Sequence, residues 1–365
     1  MGTEIVDEED VYRALQQHLD RMPIGFPPAE SGTDIQLLKQ LFNTIEARIA
    51  VILNHSFSPS DTLDDIYHRS KSLGISKDEL EKILDAMVEK GLIHSRRDRS
   101  TRFYSNAQFF VGIYELQLLN LNKDFLEKFS LYYRDAFWKE VLAPKPTQLR
   151  VIPVEKSITL ESPIASYEDI DTMIDAAEGP FVVGHCLCRK IKSLYGQPCK
   201  VTDREETCLI LGPYAEVFID AEWGREINRE ELRKIIKDNQ HDGLVLQPSN
   251  SGKLEFLCSC CSCCCGLLRA KSSVPRPIDF FTTNNFAEVD LDLCSSCGTC
   301  VEKCQMRALS LEDEVLNVDL DRCIGCGLCV VNCPDGALSL QKREHEWIPP
   351  KSMQDTYSIL LERKK

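Results

Sequence analysis

Long apolar runs are missing from this chain: nowhere in its 365 residues is there a stretch near the ~18 apolar residues that cross a bilayer. The start, Met1 to Asp10, is acidic and holds no apolar signal core, so export is not expected. Val6 stands where an N-myristoylation motif carries Ser or Thr. Glycine loops of the forms G-x-x-x-x-G-K-S/T and G-x-G-x-x-G are also missing, which argues against P-loop and dinucleotide-binding chemistry. The seven histidines are scattered, with no pair at i, i+4, and no Ser-His-Asp arrangement can be read from spacing. Nothing argues for a flavin site. A soluble, cytoplasmic protein is expected, without a hydrolase or nucleotide signature.

Cysteine is the opposite case. Apolar content of 43% and charged content of 27% are ordinary, but 18 cysteines are not. Without an export signal they read as metal ligands or redox groups of a reducing, anaerobic cytoplasm rather than as disulfides.

Eight of them repeat one rhythm. Cys294-x2-Cys297-x2-Cys300-x3-Cys304 returns as Cys323-x2-Cys326-x2-Cys329-x3-Cys333, closed by Pro334. The flanks return at the same 29-residue offset: Val289-Asp290-Leu291-Asp292 as Val318-Asp319-Leu320-Asp321, and Ala308-Leu309-Ser310-Leu311 as Ala337-Leu338-Ser339-Leu340. Such runs are the ligand spacing of [4Fe–4S] proteins, in which the fourth cysteine serves the other cluster. Cluster I is therefore expected on Cys294, Cys297, Cys300 and Cys333, and cluster II on Cys323, Cys326, Cys329 and Cys304. The unit resembles the two-cluster bacterial-type ferredoxin domain over 286–341. Gly298, Gly325 and Gly327 suit loops in which backbone approaches a cluster. One departure stands out: Gln305 follows Cys304 where Pro334 follows Cys333. Four-cysteine zinc sites also use C-x2-C pairs, but zinc ribbons do not usually add a third and fourth cysteine at this spacing.

The net charge is −14. Residues 286–340 contribute ten acids against Lys303, Arg307 and Arg322. An acidic carrier is steered to a basic docking patch on a redox partner and is repelled by nucleic acid. A merely solvated surface gives the same composition.

Toward the N-terminus, Leu37, Leu38, Leu41, Phe42, Ile45, Ile49, Ile52 and Leu53 form a helical apolar stripe. Capping boxes are expected at Thr62–Asp65 and Ser76–Glu79. Gly91 ends the helix after Ser76, and two short strands flank an arginine-rich turn (Arg96, Arg97, Arg99). This pattern resembles a winged-helix domain over 35–115. Its third helix, 77–90, would enter a DNA groove, yet it carries five acids against three lysines. A protein-interaction or packing role fits that charge better than DNA binding.

The other ten cysteines lie in a mixed α/β segment, 166–273: Cys186, Cys188, Cys199, Cys208, Cys258, Cys260, Cys261, Cys263, Cys264 and Cys265. Strands are expected at Phe181–Val183, Gly243–Leu246 and Leu254–Leu257, and helices after Ser166–Asp169 and Asn228–Glu231. Cys186, Cys188, Cys199 and Cys208 could close one four-thiolate site, the six-cysteine run another, or one site could draw on both groups. Arg189 and Lys190 would offset thiolate charge or simply be solvated. His185 is either a ligand or a histidine satisfied by backbone hydrogen bonds, and His241 has no stronger claim. Zinc, free thiols and a redox disulfide compete with a third [4Fe–4S] cluster. Cys-x-Cys-Arg at 186–189, Cys199, Cys208 and the run 258–265, set before a two-cluster ferredoxin, resemble a family of anaerobe iron–sulfur proteins of poorly defined function. That resemblance implies cluster binding and electron transfer but names no substrate.

The expected fold class is α+β and multidomain: 1–34 helical, 35–115 winged-helix-like, 116–165 a helical connector ending near Pro144 and Pro146, 166–273 the cysteine-rich domain, 274–285 a linker, 286–341 the ferredoxin unit, and 342–365 a charged tail. The expected function is single-electron relay to or from an anaerobic oxidoreductase. A redox-sensing DNA-binding regulator is one alternative. An oxidoreductase with an open-coordinated cluster in the middle domain is the other.

Overall fold

The structure, a computed structural model, describes residues 8–56, 60–143, 145–154, 157 and 166–364. Within the expected connector, Pro144, residues 155–156 and residues 158–165 lie outside them. The chain is 44% helical and 18% strand, an α+β composition. No helix among the described residues is long and apolar enough to cross a membrane. Two compact units emerge, one from Met1–Glu140, Glu216–Trp223 and Tyr357–Lys365, the other from Val141–Ala215 and Gly224–Thr356.

The first unit opens with α1 (Glu8–Asp20), α2 (Thr33–Leu41) and α3 (Thr44–Ile52). The apolar stripe from Leu37 to Leu53 is thus cut in two. Asn43 is the cause: its side chain accepts from the Glu46 N–H while the Glu46 carboxylate accepts from the Asn43 N–H, and a capping box starts a new helix. Strand β1 (Asp61–Thr62), α4 (Leu63–Arg69) and α5 (Lys77–Glu89) follow. Both expected boxes form, Thr62 with Asp65 and Ser76 with Glu79. Helix α5 buries Leu80, Leu84, Met87 and Val88. The hairpin β2 (Ile93–Asp98) and β3 (Thr101–Asn106) joins β1 in the order β1-β3-β2. Arg96, Arg97 and Arg99 are exposed at its turn. Helix α6 (Lys123–Tyr132) contributes Phe125, Phe129 and Tyr132 to an aromatic core with Phe26, Phe109 and Tyr114.

His94 on β2 is 3% exposed, and burial pushes its pKa down to about 4. The folded chain keeps it neutral while the unfolded chain takes up a proton below about 6.5. Stability is therefore expected to fall as pH drops from about 6.5 toward 4, by about 3 kcal/mol from this residue. Denaturant melts of the wild type and His94→Phe across that window check it. The variant's acid limb should be flatter, and parallel limbs would contradict the assignment.

The second unit carries a five-stranded sheet in the order β6-β4-β5-β8-β7, antiparallel at every ladder. In chain order this stretch forms α7 (Ile170–Ala176), β4 (Phe181–His185), α8 (Leu187–Leu194), β5 (Glu206–Leu211), α9 (Pro213–Asp220, from Glu216 on part of the first unit), β6 (Arg225–Ile227), α10 (Arg229–His241), β7 (Val245–Pro248), β8 (Phe256–Cys260) and α11 (Gly266–Ser272). Asp169 alone caps α7, accepting from the Asp171 N–H. Asn228 caps α10, accepting from Glu231. Ile152, Ile174, Val183, Leu209, Leu232, Leu246 and Leu257 fill one core of this unit.

Beyond the sheet come β9 (Asn285–Val289), α12 (Thr299–Lys303), β10 (Leu309–Glu312), β11 (Val315–Val318), α13 (Leu328–Val331), β12 (Leu338–Lys342) and α14 (Met353–Glu362). Here the repeat becomes geometry. Strand β9 pairs with β12 through Val289↔Leu338, and β10 with β11 through Leu309↔Val318, the equivalent pair with the two repeats exchanged. The first strand of each repeat thus pairs with the last strand of the other, giving a pseudo-twofold.

Candidate metal and cluster sites

That strand exchange decides which cysteines meet. Because β12 lies against β9, Cys333 comes to the loop that starts at Cys294; because β10 lies against β11, Cys304 comes to the loop that starts at Cys323. A cavity of about 310 Å³ is lined by Cys294, Cys297, Cys300 and Cys333. A second, of about 380 Å³, is lined by Cys323, Cys326, Cys329 and Cys304. The Ala308 N–H donates to Cys304 Sγ at 3.2 Å and, 29 residues on, the Ala337 N–H donates to Cys333 Sγ at 3.3 Å. The Ala287 N–H donates to Cys323 Sγ at 3.3 Å. Gly298 and Gly327 open α12 and α13 at φ of 75° and 77°, conformations that glycine adopts without steric cost.

The two cavities differ in exposure. Cys297 is exposed on the first, whereas Cys323 and Cys329 are buried on the second. Around the first stand exposed Leu291, Leu293, Leu311 and Val315, interleaved with exposed Asp290, Asp292, Glu312 and Asp335.

In the cysteine-rich sheet the structure brings Cys199 to Cys261, Cys263 and Cys264, with all four sulfurs within 4.8 Å of one another. Cys199 Sγ lies 3.6 Å from Cys261 and 3.7 Å from Cys263, and Cys263 lies 3.4 Å from Cys261 and 3.7 Å from Cys264. A tight turn after β8 makes this possible, the Cys265 N–H donating to the Cys261 carbonyl at 3.0 Å. Burial works to raise the Cys199 pKa, but N–H groups of Thr202 and Val201 and the neighbouring thiols outweigh it and hold it at about 7. Burial pushes Cys261 up to about 12. The set of Cys186, Cys188, Cys199 and Cys208 is not what the structure assembles: Cys199 leaves the other three for the run after β8. Its partners are more than 60 residues away, and no local spacing rule carries such information.

His185 Nδ1 stands 2.9 Å from Glu205 Oε2 and His241 is exposed beside Asp242, so carboxylates rather than thiols are their neighbours. Arg189 is buried, its guanidinium donating to Thr207 Oγ1 and to the Ser259 carbonyl. Lys190 is half-exposed near Glu205.

Gln305, the departure in the first cysteine run, has a visible task. Its Oε1 accepts from the Ser262 N–H at 2.8 Å and its Nε2 donates to the Gly243 carbonyl at 3.4 Å. The residue after Cys304 thereby holds the turn carrying Cys261 and Cys263, and proline has no side-chain amide with which to do so. Gln305→Ala is expected to loosen that turn by about 1 kcal/mol. Alkylation of Cys261 and Cys263 in the metal-free protein, followed by mass spectrometry, should quicken about fivefold. An unchanged rate would deny the bridge.

Residues 287–310 and 316–339 each match the 4Fe-4S binding domain family. No curated protein and no solved structure matches the chain. Residues 287–339 thus form a 4Fe-4S ferredoxin-type domain of two adjacent motifs, able to bind iron–sulfur clusters and to carry electrons.

Proposed function

We propose that the chain is a cytoplasmic electron-transfer protein that relays single electrons through two [4Fe–4S] clusters to or from an anaerobic oxidoreductase. The observation that carries this reading is the pair of four-cysteine cavities, the first with Cys297 exposed and the second with Cys323 and Cys329 buried. A [4Fe–4S] cluster supplies one-electron chemistry when bound. The residues do the rest. Cys294, Cys297, Cys300 and Cys333 would hold the outer cluster, and Cys323, Cys326, Cys329 and Cys304 the inner one. The N–H donors at Ala308, Ala337 and Ala287 hold charge on the sulfurs, and Ile324, Leu328 and Leu309 keep water from the inner site. The apolar and acidic rim around Cys297 suits a partner with a basic docking face, because unlike charge steers the encounter while apolar contacts shorten the gap.

In this reading Cys199, Cys261, Cys263 and Cys264 hold one tetrahedral ion. Four thiolates at ~2.3 Å from zinc stand about 3.8 Å apart, close to the spacings seen. A four-iron cluster would spread its thiolates farther, since each binds a separate iron. The first unit is read as a winged helix used for protein contact: α5 keeps its acidic face, and Lys77 pairs with Asp64 and Arg102 with Asp85.

The test is anaerobic reduction of the full chain followed by EPR and by electron transfer to a basic acceptor such as cytochrome c. Coupled cluster signals and a rate that falls with added salt are expected. Absence of clusters, or tight salt-dependent duplex DNA binding together with no transfer, would replace this reading with the regulatory one.

A further inference from the structure

Six cysteines of the middle segment stay outside the four-sulfur group, and they are not scattered. Cys258, Cys260 and Cys265 pack in one cluster, and Arg189, next to Cys188, donates to the Ser259 carbonyl between Cys258 and Cys260 and to Thr207 Oγ1 next to Cys208. The fold explains the gathering. Cys258 and Cys260 alternate onto one face of β8, and the register Leu209↔Leu257 sets Cys208 on β5 beside Cys258. Cys186 and Cys265 are the N-cap residues of α8 and α11. A helix-start N–H reaches one of these sulfurs, Leu268 donating to Cys265 Sγ at 3.5 Å.

Two buried cations face this group. Arg189 and Lys271 are each 6% exposed, and neither forms an ion pair with a carboxylate among the described residues. Arg189 has Cys186 and Cys260 of this group and Cys261 and Cys199 of the four-sulfur group as its sulfur neighbours, and its Nε has no hydrogen-bond partner among the described residues. Lys271 Nζ sits 4.8 Å over the Phe281 ring, with Cys265 as its sulfur neighbour. Burying a charge without a counter-charge is costly. Protonated thiols offer none, whereas six thiolates around a metal core do.

Spacing settles the nuclearity. Cys199, Cys261, Cys263 and Cys264 are the one set of three or more such ligand atoms among the described residues that falls within 4.8 Å, the compactness a single ion needs. No three of the six come that close together among the described residues, the wider spread that thiolates on separate metal atoms require. We propose that Cys186, Cys188, Cys208, Cys258, Cys260 and Cys265 hold a polynuclear iron–sulfur cluster, separate from the four-sulfur ion and from both ferredoxin cavities, with Arg189 and Lys271 as its counter-cations. The proposal does not depend on the electron-carrier reading, since it concerns other cysteines.

The experiment compares iron, labile sulfide and zinc in the anaerobically purified full chain, in Cys260→Ser/Cys265→Ser and in Cys261→Ser/Cys263→Ser. The wild type should exceed the about eight irons of two cubanes. The first variant should lose the excess iron together with labile sulfide and keep about eight irons. The second should lose one metal ion and keep the excess iron and its sulfide. No excess iron in the wild type, zinc as the metal lost from the first variant, or Cys186–Cys188 and its neighbours recovered as disulfides would each overturn the proposal. Should the first variant fail to fold, Lys271→Met decides, as it keeps every thiol. It should shift the midpoint potential of the extra centre to more negative values and leave the ferredoxin potentials in place. An unmoved potential would overturn the proposal.

Discussion

Cys304→Ala is expected to remove the inner cluster, not the one bound by its own cysteine run. Iron should fall by about four atoms per chain, one cubane's worth. Combining variants makes the crossing visible. Cys304→Ala with Cys323→Ala should cost no more than either change alone, because both sulfurs line the 380 Å³ cavity. Cys304→Ala with Cys297→Ala should cost both clusters, because Cys297 lines the other. If each run closed its own cluster, the two outcomes would be exchanged. Cys333→Ala supplies the mirror experiment, and the pseudo-twofold predicts the mirror result.

The second large effect belongs to a backbone. Gly325 has a φ of 63°, and a Cβ there would run into the carbonyl of Asn285 on β9. That carbonyl belongs to a strand held by β12, so it cannot simply give way. Gly325→Ala is expected to displace the loop between Cys323 and Cys326, abolishing the inner cluster and costing more than the ~1–2 kcal/mol of a left-handed alanine alone. Twenty-nine residues earlier the equivalent position is Ser296, at a φ of 57°, whose hydroxyl donates to the Glu314 carbonyl. Ser296→Gly should therefore be nearly neutral, the relief of strain offsetting the lost hydrogen bond to within about 1 kcal/mol. Iron content and thermal melts of the two variants check the contrast. Equal effects at both positions would contradict it.

Much of the ferredoxin domain could be read from the chain because its information is local. Ligand spacing, glycines at the loop bends and the 29-residue echo all lie within about one cluster's reach. The capping boxes at Thr62 and Ser76 were legible for the same reason, since a cap is a contact across three residues. Asn43 shows the limit: its box with Glu46 lay inside a continuous apolar stripe, and periodicity alone ran two helices together. Strands β5 and β6 escaped notice. The first is buried on both faces toward its end, so it lacks alternation, and the second is three residues long. In the middle segment the cysteines were legible as candidate ligands but their grouping was not. A Cys-x-Cys pair on a strand shares a face, which holds for Cys258 and Cys260. Nothing in the spacing says that Cys199 crosses to Cys261 or that Cys208 comes beside Cys258. Those meetings are made by an antiparallel sheet, and sheet register is a long-range property. Gln305 was visible as a departure from the repeat, but its role required Ser262 and Gly243 to be in place.

The central claim is that the repeated cysteines hold two [4Fe–4S] clusters that carry electrons. Its most direct test is quantitation of iron and labile sulfide in the anaerobically purified chain, with EPR before and after reduction by dithionite. At least about eight of each per chain, and a reduced spectrum showing two magnetically coupled clusters, are predicted. Zinc in place of iron at the ferredoxin cysteines, or iron without labile sulfide and without an EPR signal on reduction, would contradict the account.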